Sequence, residues 1–154
     1  MLKTIHDPQL TKFIGEWVSN RVTSTGEIGF NGAYNSLGVV NNDSLIAGVV
    51  YHDYHPVYRT ICIQLCAETS KWASRRTIEM LGNYPFVQLQ CQRVTALINS
   101  DNVAALRLAK GVGFKEEARL IRAAGDKDII VLRLFSEEWF AGKFYRGEYK
   151  HGLI

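Results

Sequence analysis

The stretch "CAETSKWASRRTIEML", residues 66–81, carries Lys71, Trp72, Arg75 and Arg76 where an apolar strand gives way to a helical pattern. A helix start already presents unpaired backbone N–H groups and a partial positive charge. Further cations there are unfavourable unless an anion visits, so the stretch reads either as a solvated basic turn or as a site for a negatively charged ligand. Glu68, at the end of the same strand, is a candidate general base. Placed beside a reacting group, a carboxylate there could take a proton directly or through water. As a solvated strand-end residue it would do nothing of the kind.

Other chemistry-bearing residues give weaker signals. "YHDYHP", residues 51–56, offers His52, Asp53 and His55 as metal-ligand types. Positions 52 and 55 fall on opposite faces of a strand, so no metal is expected. Cys62, Cys66 and Cys91 are an odd set without a C-x-x-C pair or a close histidine in sequence. Cys62 and Cys66 share one face of an apolar strand. They read as buried thiols in a reducing cytoplasm, the expected location. Asp126 and Asp128, in a late turn, could hold a cationic acceptor; ordinary turn chemistry accounts for them equally well.

The elements that must position these residues follow from pattern. The chain has 154 residues, net charge +3, 47% hydrophobic and 21% charged residues, which suits one globular domain over 1–154. The sequence pI near 8.8 suits anionic small molecules. No apolar run is long enough for a signal peptide or a membrane span, so no membrane partner is expected. Asp7-Pro8 opens a helix whose apolar face is Leu10, Phe13, Ile14, Trp17 and Val18 and which ends near 20–22. A glycine-rich connection with Gly26, Gly29 and Gly32 precedes strands at about 36–41 and 44–54, turned at Asn41 to Ser44. A third strand covers about 58–68. A helix over about 73–84, bent or ended by Pro85, leads to a strand at 93–100. A helix from Asp101-Asn102 with Gly111 as its terminator, two hairpin strands turned at 124–126 and a short helix from Ser136 complete the chain. The third and fourth strands, joined by a helix, should be parallel in a right-handed crossover. The expected fold is therefore α/β (α+β): a mixed, mostly antiparallel sheet with a central parallel pair and helices packed on it.

"RVTALINSDNVAALRLAKGVGFKEEARL" resembles the C-terminal half of the GNAT acyltransferases: a strand, an Asn, a helix and then Gly-Phe. The matching residues are Val94 to Asn99, Asn102, Ala105, Leu108, Gly113, Phe114, Glu117 and Arg119. Gly125-Asp126 and "IVLRLFSEEW" are similar to the branch that acetylates ribosomal-protein N-termini. With the matching strand order, the resemblance spans about 34–139. It implies helices on both faces and a central pair that splays apart to admit the pantetheine arm of acetyl-CoA. It implies Leu65, Cys66 and Ala67 along that arm, Asn102 bonding it from the other side, and the pyrophosphate on the loop that follows.

That loop departs from the family. Where members carry an Arg/Gln-x-x-Gly-x-Gly/Ala loop, this chain has "KWASRR", residues 71–76, without glycine; Trp72 and Ser74 stand in the glycine places. Backbone amides of Ala73, Ser74, Arg75 and Arg76 would still cradle the diphosphate, with Lys71, Arg75 or Arg76 adding charge-assisted contacts. Trp72 would stack on adenine or pack under the loop. Ala109 stands where many members place the tyrosine that protonates the leaving thiolate. The implied activity is transfer of an acetyl group from acetyl-CoA to an amine by direct attack, the acceptor being a protein N-terminus, a lysine or a small amine. The alternative is a non-catalytic acyl-CoA-binding or interaction module of the same fold. Nucleic acid is not an expected partner, because no aromatics interleave with Lys71, Arg75, Arg76 and Arg93. A homodimer is left open by the sequence.

Overall fold

A computed structural model describes residues 2–22 and 34–147. The glycine-rich connection at Gly26, Gly29 and Gly32 lies outside the described residues. Seven strands form one sheet in the order β1-β2-β3-β4-β5-β7-β6, with β1 Leu2–Ile5, β2 Tyr34–Asn41, β3 Ser44–His55, β4 Thr60–Ala67, β5 Arg93–Asn99, β6 Lys115–Ala124 and β7 Lys127–Phe135. Among the described residues only β4 and β5 pair in parallel; every other neighbouring pair is antiparallel. The helices are α1 Thr11–Val22, α2 Arg75–Asn83, α3 Val103–Val112 and α4 Ser136–Ala141. No helix among the described residues is long and apolar enough to cross a membrane.

Local chemistry explains most boundaries. Asp7 Oδ1 accepts the N–H of Gln9 and Pro8 begins a 3-10 turn that leads into α1. Asn42 and Asp43 both take positive φ, 50° and 66°, the left-handed pair that a two-residue hairpin turn demands. Gly125, at φ 68°, does the same between β6 and β7. Pro85 does not end α2 abruptly: Tyr84–Gln88 continue as a π-helical turn. α3 ends at Gly113 and not at Gly111, because the chain turns left-handed there (φ 123°) and its N–H bonds back to Ala109 and Lys110. β1 has no strong pattern of its own and exists by pairing with β2, from Leu2↔Asn41 to Ile5↔Gly38.

The helices divide between the two faces. α1 lays Ile14 and Val18 on Val50, with Cys66 beside them. A Cβ on Gly48 would sit 2.7 Å from Val18 Cγ2, so glycine lets α1 reach the sheet. On the opposite face α2, α3 and α4 cover the main core of Leu37, Val49, Ile61, Val94, Leu132 and Leu134. Trp139 and Phe86 stack there with ring centroids 5.9 Å apart.

Candidate active site

The site begins where the central pair comes apart. β4 and β5 pair from Thr60↔Arg93 to Ile63↔Ala96 and no further. Beyond that rung β4 stays on β3 as far as Ala67↔Ala47, and β5 stays on β7 as far as Asn99↔Ile129. The Glu68 N–H donates to Ile46 O at 2.9 Å, extending the β3–β4 register by one bonded pair. Bonded pairs alternate in an antiparallel ladder, so Cys66 also turns its backbone to β3. Leu65 and Ala67 therefore direct their N–H and C=O groups into the gap. The side chain of Cys66 points the other way, to α1. A cavity of about 790 Å³ fills the gap, and all three residues line it together with Glu68, Trp72, Ala73, Asn102 and Ala109.

The loop that caps one end of this cavity is built from short hydrogen bonds. Thr69 caps a 3-10 turn, Ser70–Trp72, by accepting the Lys71 N–H. Ser74 caps α2: its Oγ accepts the Thr77 N–H at 3.2 Å, and Thr77 Oγ1 donates to Trp72 O at 2.6 Å. Trp72 is 4% exposed and belongs to the core, so it packs beneath the loop. Of the four amides expected to face a diphosphate, Ala73 donates to Ser70 O and Ser74 to Trp72 O. That leaves the N–H groups of Arg75 and Arg76, the first two of α2, without a helical acceptor.

The two arginines differ. Arg75 donates to the carbonyl of Lys143 and lies over the Phe144 ring, so the segment after α4 occupies it. Arg76 is exposed and has no hydrogen bond or ion pair among the described residues. The same segment is tied to α2 a second time, where the Arg146 N–H donates to the buried carboxylate of Glu79 at 2.7 Å. Sequence reasoning had no signal for either tie, since 67 and 68 residues separate the partners.

Across the gap, Asn102 is the N-cap of α3. Its Oδ1 accepts the Ala105 N–H at 3.2 Å. Its Nδ2 makes no hydrogen bond among the described residues and is available to a ligand in the cavity. Ala109 lines the cavity as a bare methyl, and no tyrosine or histidine is among the described residues of its wall. Glu68 lines it too, but its Oε1 is held by Arg21 Nη2 at 2.6 Å. Arg21 in turn lies 3.7 Å over the ring of Trp17. The sequence reading placed Trp17 on the apolar face of the first helix and had no signal for the connection of Arg21 to Glu68.

Asp128 is engaged in the last hairpin. It accepts from Arg119 Nε at 2.7 Å and from the Arg122 N–H at 2.9 Å. Those bonds, the backbone one first, hold its carboxyl below the usual range. Asp126 lies in the same turn and does not line the cavity. At the far end of β3, His52 and Cys62 face each other across strands, and Asp53 Oδ2 lies 2.6 Å from His52 Nδ1. The three ligand-type atoms fall within 4.8 Å of one another. The grouping differs from the His52, Asp53 and His55 run of the sequence, because strand register brings Cys62 opposite His52. Burial raises the thiol pKa of Cys62, Cys66 and Cys91, the last to about 11. All three cysteines are free.

The splayed parallel pair inside a mostly antiparallel sheet, with α2 and α3 flanking the gap, is the GNAT fold. Comparison with solved structures bears this out. Mutant forms of the spermidine/spermine N-acetyltransferase SpeG from Vibrio cholerae superpose with TM-score 0.70 at 16% identity, over 91% of this chain and 98% of that one. A dodecameric structure of the V. cholerae spermidine N-acetyltransferase gives TM-score 0.70 at 17% identity, over 92% and 96%. A probable acetyltransferase gives TM-score 0.59 at 20% identity, over 69% and 64%. These structural neighbours are GNAT-fold acetyltransferases. No family model matches the sequence, and no curated protein sequence matches it significantly.

Proposed function

We propose that this protein is an N-acyltransferase that moves the acetyl group of acetyl-CoA to an amine. The observation that carries the reading is the gap between β4 and β5. Two unpaired strand edges face a cavity lined by Thr69, Ser70, Trp72 and Ala73, and α2, which starts two residues beyond Ala73, opens with two free helix amides and the unpartnered Arg76. Strand edges suit the amide-rich pantetheine arm, and free amides at a helix start suit a diphosphate. The Asn102 Nδ2 is placed to add a hydrogen bond from α3.

The chemistry is one direct displacement. The amine nitrogen attacks the thioester carbonyl; a C–N bond forms and the C–S bond breaks. The nitrogen gives up a proton and the departing thiolate gains one. Glu68 is the proposed acceptor of the amine proton, through the oxygen that Arg21 does not hold or through a water. With alanine at 109 and no tyrosine among the described residues of the cavity wall, water supplies the thiolate proton. Holding both reactants in one cleft provides much of the acceleration. The acceptor is a primary amine: similarity to the ribosomal-protein branch supports a protein N-terminus or lysine, and the spermidine-acetylating neighbours support a small polyamine-like amine. The dodecameric neighbour supports an oligomer, of which a homodimer is the smallest. The three free thiols support a reducing cytoplasm.

Ala109 and the occupied Arg75 favour one second reading, a GNAT-fold module that binds acyl-CoA without turning it over. The test is thermal unfolding with acetyl-CoA, followed by assay with amine acceptors. A ligand that binds the native state raises its melting temperature. A rise with turnover supports the transferase, a rise without turnover on any amine supports the module, and no rise overturns both.

A further inference from the structure

We infer that the cavity takes an acyl chain longer than acetyl, laid in an apolar channel under α2 and α3. This deepens the acyl-CoA reading above and rests on it. The cavity does not stop at the last rung of the central pair. It continues past Ile63 and Ala96, over Val94, to an inner wall of Phe86, Phe114, Leu134 and Trp139. Each of those four is less than 9% exposed, so the channel penetrates the main core. Short side chains keep it open: Ala96 from the sheet, Ala105 and Ala109 from α3.

The inner end has nothing to offer a polar group. Among the described residues of that wall, the one polar side-chain atom, Trp139 Nε1, donates to Asn83 Oδ1 at 3.2 Å. A cavity without polar partners holds water poorly. An unfilled one forfeits the dispersion contacts that close packing gives. The occupant that suits both facts is a hydrocarbon chain. A thioester held along Leu65 and Ala67 would share one cavity with the channel, because both line the same space. The reaction is unchanged: the acyl carbon goes to the amine and the thiol departs, whatever the length of the tail.

The experiment is calorimetric titration of the intact protein with free CoA, acetyl-CoA, butyryl-CoA and hexanoyl-CoA. Burial of a methylene is worth about fourfold in affinity before chain ordering is subtracted. Hexanoyl-CoA is therefore expected to bind at least about tenfold tighter than acetyl-CoA. Val112→Phe, which fills the channel from α3, and Ala96→Leu, which fills it from β5, should each remove that gain. Unliganded melting temperatures show which variants fold. Acetyl-CoA binding without any gain for hexanoyl-CoA overturns the inference and leaves the transferase reading in place. A gain that survives in both folded variants also overturns it, because the chain then binds elsewhere. Failure of every thioester to bind overturns the inference together with the reading beneath it.

Discussion

Arg21 Nη2 lies 2.6 Å from Glu68 Oε1, a contact that ties the last turn of α1 to the end of β4. The pair is 35% and 49% exposed at its side chains, so water screens it. Such pairs contribute about 0–1 kcal/mol to stability. Glu68→Gln should therefore leave the melting temperature almost unchanged. If Glu68 takes the amine proton, the same substitution should lower turnover by about 10²-fold. Turnover equal to wild type would remove Glu68 from the mechanism and leave Arg21–Glu68 as a clasp between α1 and β4.

The structure of the loop before α2 makes a sharper prediction than its composition did. Arg76 is free to meet an anion, whereas Arg75 is held by Lys143 and Phe144. Arg76→Ala should weaken acetyl-CoA binding by roughly 1–3 kcal/mol, the range for a lost charge-assisted bond. Arg75→Ala should weaken it less. Calorimetry on the single and double variants checks the order. Equal affinity in all three would mean that neither guanidinium reaches the ligand.

Asn102 has two jobs that substitution can separate. Its Oδ1 caps α3, and its Nδ2 is available to the cavity. Serine caps a helix about as well as asparagine, while alanine costs about 1 kcal/mol. Asn102→Ser should keep the melting temperature and lose acetyl-CoA affinity; Asn102→Ala should lose both. Wild-type affinity in the serine variant would reduce Asn102 to a helix cap.

These residues also mark what sequence could deliver. Asn42-Asp43 and Asn102 act through neighbours a few positions away, so the hairpin turn and the start of α3 were readable from type and spacing, whereas Ser74, read as standing in a glycine place, is the cap of α2. Apart from β1, which exists only by pairing with β2, the order of strands and helices, and hence the parallel central pair, followed from the same local patterns. The rest depends on partners distant in sequence. Arg21 meets Glu68, Arg75 meets Lys143, and His52 meets Cys62 only once register and packing are set. Gly111 and Gly113 are chemically identical terminators; only the backbone turning left-handed at 113 separates them. Cys66 belongs to the correct strand, yet that its backbone groups face β3 and not the gap could be read only from the bond between Glu68 and Ile46.

Cys91 gives a stability prediction with a definite sign. Burial raises its thiol from the ordinary 9.0 to about 11 in the folded protein. The unfolded chain then loses this proton first as pH rises, so folding is opposed across that interval. The contribution is fully present below pH 9 and declines from about 9 to about 11. Cys91→Ala should flatten that decline, seen as a shallower fall of unfolding free energy with pH than in wild type. Parallel curves for the two proteins would show that Cys91 titrates normally.

The last prediction concerns the thiolate. The cavity wall has Ala109 and, among its described residues, neither tyrosine nor histidine. Nothing in that wall carries a phenolic proton whose loss at alkaline pH would stop the reaction. The rate below saturation should rise with pH as the acceptor amine deprotonates and should then level, without the descending limb that a required acid imposes. Ala109→Tyr would introduce such a group at the α3 position facing the gap. If the variant folds and turns over, its profile should acquire a fall above about pH 10, the ordinary range of a tyrosine. The measurement is kcat/KM against pH for both proteins with one accepted amine. A descending limb already present in wild type would mean that an acid outside the described wall serves the thiolate, and the assignment of that proton to water would fail.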